Sequence, residues 1–141
     1  PADPVGGAGG VRWGFFRCAP PIGGEYNVKP DDLRSTRHWI ASAVQKITAA
    51  QEGSDLQYAG YLVATNTWEL LEGIWQLNAL PIPASRLAYL LTPTLKRLPV
   101  DFARLYAALY AGDPRARVAA YLRIGGWVNS LESDQPTTQR E

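Results

Sequence analysis

Leu33, Ile40, Val44 and Ile47 recur at helical spacing, and Asp31 or Asp32 just ahead of them can cap the free amides of a first turn. The pattern predicts a helix from about residue 31 that ends at Gly53. Its polar side carries Arg34, His38 and Lys46. Ser54 and Gln57 then form a capping-box pattern for a second helix of about 25 residues, ended by Pro81. Leu56, Val63, Leu70 and Leu77 are spaced by seven along it, and so are Tyr61, Trp68 and Trp75. By the 3.6-residue period the second line lies about 140° round from the first. A helix apolar on two faces needs neighbours on both, so this segment reads as the central helix.

From Ser85 the predicted helices are shorter and punctuated by proline. Thr92-Pro93 and Leu98-Pro99 suit helix restarts, with proline early in the helix. Phe102, Leu105, Tyr106 and Leu109 give one amphipathic segment before Gly112. Asp113-Pro114 opens another, which carries Val118, Tyr121 and Leu122 to Gly125-Gly126. No alternating run reads as a strand, and no internal repeat occurs. The fold class expected is all-α: an extended arm over 1–30, a four- to six-helix bundle over 31–132 and a polar tail over 133–141.

The arm is the anomaly. Gly6, Gly7, Gly9, Gly10 and Gly14, followed by Pro20, Pro21 and Pro30, exclude a regular helix. Yet Trp13, Phe15 and Phe16 are core-like residues. Exposed together they form an apolar patch that soluble monomers rarely tolerate. Either the arm wraps its own bundle, or it lies on a neighbouring subunit or along a shared ligand. Glycines favour the second arrangement, because they let the backbone approach another chain or a phosphate closely.

Composition narrows the chemistry. Of the 141 residues, 46% are hydrophobic and 19% charged, which excludes a wholly disordered chain. No run of about 18 apolar residues suggests a membrane-spanning helix. The chain starts at Pro1 and has no methionine, so the initiator has been removed or numbering begins at a processed end; its first residues lack a signal-peptide pattern. Cys18 and His38 are the only cysteine and histidine, too few for a structural zinc site or an internal disulfide. The glycines of residues 6–10 are not followed by the Gly-Lys-Ser/Thr of a phosphate loop. His38 has Ser35 and Ser42 within a turn but no orienting acid, and Glu69 and Glu72 lack the histidines of a di-iron pair. No metal, cofactor or small-molecule substrate is expected, and the chain reads as a non-enzyme. A small enzyme built from carboxylates and tyrosines is the remote alternative.

Charge adds the positive signal. The chain carries only +1 overall, but residues 86–123 hold seven basic and two acidic side chains, a local +5, against −4 over 51–85. Eleven of the fourteen basic residues are arginine, the better residue for bidentate phosphate contacts. Basic groups interleaved with aromatic ones suit a grip on a nucleic-acid backbone.

This combination of aromatic arm and helical bundle resembles the major coat proteins of filamentous archaeal viruses. The resemblance is architectural and spans residues 1–132. It implies paired subunits, identical or paralogous, that wrap double-stranded DNA in A form, read by backbone shape rather than by sequence. It further implies that the arm and first helix face the DNA, with Arg12, Arg17, Lys29, Arg34, Arg37 and Lys46 as phosphate contacts. Trp13, Phe15, Phe16, Tyr61, Trp68 and Trp75 are the expected subunit-interface residues. The expected location is the virion. The main alternative is a helical subunit of a larger, cytoplasmic protein complex.

Overall fold

A computed structural model describes residues 29–131 of the chain. These residues form five α-helices and no strand: α1 (Pro30–Glu52), α2 (Leu56–Leu77), α3 (Ser85–Leu91), α4 (Phe102–Ala111) and α5 (Pro114–Ser130). A 3-10 turn, Thr92–Thr94, continues α3. The all-α expectation and the helix number hold for these residues. The arm and tail lie outside them, except that Lys29 and Pro30 already belong to the start of α1.

α1 starts one residue earlier than the acidic pair suggests. Lys29 is the extended N-cap residue and Pro30 occupies the first turn, where a missing N–H leaves no partner wanting. Asp31 and Asp32 sit inside that turn and oppose the positive end of the helix dipole instead of capping it. The turn into α2 is equally shifted. Ser54 takes a left-handed conformation (φ 64°), so Asp55 becomes the cap, its Oδ1 accepting from the Tyr58 N–H at 3.1 Å. The Ser54–Gln57 capping box is therefore not formed. With only Gly53, Ser54 and Asp55 between them, α1 and α2 pack antiparallel as a hairpin.

α2 stops short of Pro81 because Asn78 ends it. The Asn78 backbone N–H and side-chain Nδ2 both donate to the Ile74 carbonyl. The same side chain pairs with the Arg97 backbone, accepting from its N–H at 2.8 Å and donating to its carbonyl at 3.0 Å. This bond fastens the irregular 95–101 segment to the end of α2. The Leu98-Pro99 restart is not used: α4 begins three residues later, after the left-handed Asp101 (φ 66°). Asp113-Pro114 acts as expected, with Asp113 Oδ1 accepting from the Ala116 N–H at 2.8 Å.

Gly125-Gly126 does not end α5, which runs on to Ser130. Gly125 is a contact residue: a Cβ there would lie 3.2 Å from Val44 and 3.3 Å from Ile40. Gly73 does the same for α2, where a Cβ would lie 2.9 Å from Val128 and 3.0 Å from Ile40. These two glycines let α1, α2 and α5 approach closely. The core they share contains Ile40, Ile47, Val63, Leu70, Ile74, Tyr121, Ile124 and Val128, none of it exposed. The predicted stripes are found inside: Leu33, Ile40 and Ile47 of α1, and Phe102, Leu105, Tyr106 and Leu109 of α4 are buried, with Val44 partly so.

Candidate functional site

The basic residues divide by what holds them. Arg37 points along α5: its Nε donates to the Val128 carbonyl at 3.0 Å, and its Nη2 donates to the Leu131 carbonyl. These carbonyls belong to the final turn of α5, where a cation also answers the helix dipole. Arg37 is thus a bracket between α1 and α5, its guanidinium already engaged by backbone carbonyls. Arg117 likewise donates to Gly112 at 3.2 Å and Tyr110 at 3.4 Å, and Arg97 to Leu77 at 3.4 Å. Half-buried arginines here satisfy helix-end and loop carbonyls.

The exposed cations are different. Arg34 pairs with Asp31 at 2.6 Å and Arg104 with Asp101 at 3.4 Å, both pairs open to water and of little energetic weight. Lys29, Lys46, Arg86, Lys96, Arg115 and Arg123 are exposed with no ion pair or side-chain hydrogen bond within the described residues. Arg34 and Lys46 lie on the exposed arc of α1, twelve positions apart and about 120° round the axis from each other. Arg12 and Arg17, with Trp13, Phe15 and Phe16, lie outside the described residues.

The predicted line of rings along α2 splits. Trp75 is only 6% exposed and its Nε1 donates to Thr92 Oγ1 at 2.9 Å, so the 3-10 turn after α3 already covers it. Of the residues expected at a subunit interface, Trp75 is thus buried within the described bundle. Two turns back, Trp68 is 41% exposed, and Tyr61 61%. The second face of the central helix is therefore real, and among the described residues only its C-terminal end is covered.

Three groups of surface residues escaped the sequence reading. Trp39, 52% exposed, sits edge-on to His38 with ring centroids 5.3 Å apart. It is detectable as the one large apolar residue off the α1 stripe. Tyr58 stacks on Tyr61 with centroids 6.2 Å apart, one helical turn away. Leu87, Leu90 and Leu91 are exposed together, because α3 buries only Ala88.

An open groove of about 440 Å3 lies between the first half of α2 and the α4–α5 turn, bordered by Gly60, Tyr61, Ala64, Gly112, Pro114 and Arg117. Of the titratable groups, burial pushes the Glu72 carboxyl above its ordinary range, with the Glu69 charge adding to it. Burial likewise raises Tyr106, Tyr110 and Tyr121. Tyr106 and Tyr110 meet edge-to-face at 5.1 Å, and the Tyr106 hydroxyl donates to the Tyr89 carbonyl at 2.8 Å. This is a packed aromatic cluster with Phe102 beneath it. No group of three or more His, Cys, Asp or Glu among the described residues could hold a metal, and no described helix is long and apolar enough to cross a membrane.

No protein family, curated protein or solved structure matches the chain.

Proposed function

We propose that the chain is a structural, non-enzymatic subunit that self-assembles around nucleic acid and grips the phosphate backbone without reading base sequence. The observation that carries this reading is the set of six exposed cations with no ion-pair or side-chain hydrogen-bond partner among the described residues, together with the exposed rings of Trp39, Tyr58, Tyr61 and Trp68. Exposed cations and open aromatic faces on one molecule are the ingredients of sequence-tolerant backbone binding. Lys29, Arg34 and Lys46 on α1, with Arg12 and Arg17 of the arm, are the proposed phosphate contacts; Arg86, Lys96, Arg115 and Arg123 extend the set. A coat protein of a filamentous virion on double-stranded DNA is the specific form proposed, in keeping with the architectural resemblance.

The second reading is a helical subunit of a larger protein complex, favoured by the exposed Leu87, Leu90 and Leu91. Purification without nuclease separates the two. Large particles that protect nucleic acid, and release it steeply as salt rises, support the coat reading. A particle free of nucleic acid that persists at high salt supports the protein complex.

A further inference from the structure

We propose that the groove between α2 and the α4–α5 turn receives the Trp13–Phe16 segment of a second copy of this chain. The inference rests on the self-assembly reading and names the contact that assembly uses.

The groove is open and its lining is mostly apolar. Its volume of about 440 Å3 falls in the range that holds drug-sized apolar groups. Gly60 and Ala64 add little side-chain bulk to its α2 side. Tyr61 and Arg117 are among its other borders. Arg117 is held by the Gly112 and Tyr110 carbonyls, so its planar group is already positioned. A fixed guanidinium and an open tyrosine both favour an aromatic occupant over an aliphatic one. The sequence outside the described residues supplies Trp13, Phe15 and Phe16 within four positions, flanked by Arg12 and Arg17. Rings seated in the groove leave those two arginines free for phosphate.

The path of the chain favours a second copy. The described chain enters at Lys29, at the start of α1. The groove lies at the opposite end of the bundle, beside the first turns of α2. The 23 residues of α1 cover about 34 Å of that distance. From Phe16 to Lys29 the chain spans at most about 45 Å when fully extended. Reaching its own groove would hold the arm at about three-quarters of that full extension or more. A neighbour's groove imposes no such stretch.

Cys18, the only cysteine, lies two residues beyond Phe16 and gives the probe. Nuclease-treated full-length chain is labelled there with a maleimide photocrosslinker, using a mixture of 14N and 15N protein. The expected result is mixed-isotope crosslinks to peptides containing residues 56–64 or 112–117. Ala64→Arg, on an exposed helical position, should abolish them without unfolding the bundle. An arm variant, Trp13→Ser with Phe16→Ser, should behave the same way. Each variant alone should lose self-association in sedimentation. A mixture of the two should recover it, because one arm and one groove remain intact. Single-isotope crosslinks only, crosslinks to the Leu87–Leu91 face, capture of no peptide, or failure of the mixture to re-associate each overturns the proposal. Because nucleic acid has been removed, a failed coat reading appears separately, as untreated protein that retains none.

Discussion

The indole of Trp75 donates to the Thr92 hydroxyl at 2.9 Å, and that hydroxyl donates onward to the Ala88 carbonyl at 2.5 Å. Thr92 is fully buried, so this relay satisfies two polar groups that have no access to water. It also fastens α3, which buries only Ala88, to the end of the central helix. Thr92→Val keeps the shape and removes both bonds, leaving a buried indole N–H unpaired. The expected loss is about 1–3 kcal/mol. Urea unfolding with an unchanged slope would measure it. A change within error of zero would mean that α3 is held by something other than this relay.

The tight helix contacts make a paired prediction. At Gly73 a Cβ would lie 2.9 Å from Val128 and 3.0 Å from Ile40, whereas at Gly126 it would meet nothing within 4 Å. Gly73→Ala should therefore destabilise the fold by about 1–3 kcal/mol, the usual range for overpacking. Gly126→Ala should stabilise it by about 0.5–1 kcal/mol through helix propensity alone. Thermal melts of the two variants should move in opposite directions.

The same glycines show what the sequence could and could not reveal. The stripes of α1 and α4 were legible because burial there follows helical period, which needs no knowledge of partners. Gly125-Gly126 reads as a stop signal in sequence, yet only the approach of α1 shows Gly125 to be a packing residue within a continuing helix. Ser54 reads as a cap, but a left-handed turn residue passes that role to Asp55. Tyr61 and Trp75 are equivalent in heptad position; a 3-10 turn seventeen residues past Trp75 decides that one is covered and the other open. Arg34 and Arg37 are equally indistinguishable until the end of α5 arrives beside one of them.

Glu72 predicts a pH dependence. Burial, assisted by the Glu69 charge, raises its folded-state pKa above the ordinary 4.5. The native state therefore holds that proton more tightly than the unfolded chain. As pH rises from about 4.5 through the folded pKa the unfolded state releases its proton first, and stability falls. Glu72→Gln removes the ionisation. It should leave stability little changed below pH 4 and raise it at pH 7. Identical unfolding midpoints for both proteins at pH 7 would show that the carboxyl titrates normally.

Arg37 and Lys46 sit on one helix and should fail in different ways. Removing Arg37 unpairs the Val128 and Leu131 carbonyls and detaches α1 from the end of α5. Arg37→Ala should thus cost about 1–3 kcal/mol of stability. Arg37→Lys should restore only part of it, since an ammonium cannot reproduce the two-carbonyl fork. Lys46 is exposed and has no partner among the described residues, so Lys46→Ala should shift stability by less than about 0.5 kcal/mol. Its effect should appear in nucleic-acid retention: the slope of log affinity against log salt should fall by about one unit for the lost phosphate contact. Folded Arg37→Lys protein should keep the wild-type slope. If Lys46→Ala left the slope unchanged while Arg37→Lys reduced it, the exposed face of α1 would not be the one that meets the backbone, and the basic α4–α5 hairpin would become the face to test.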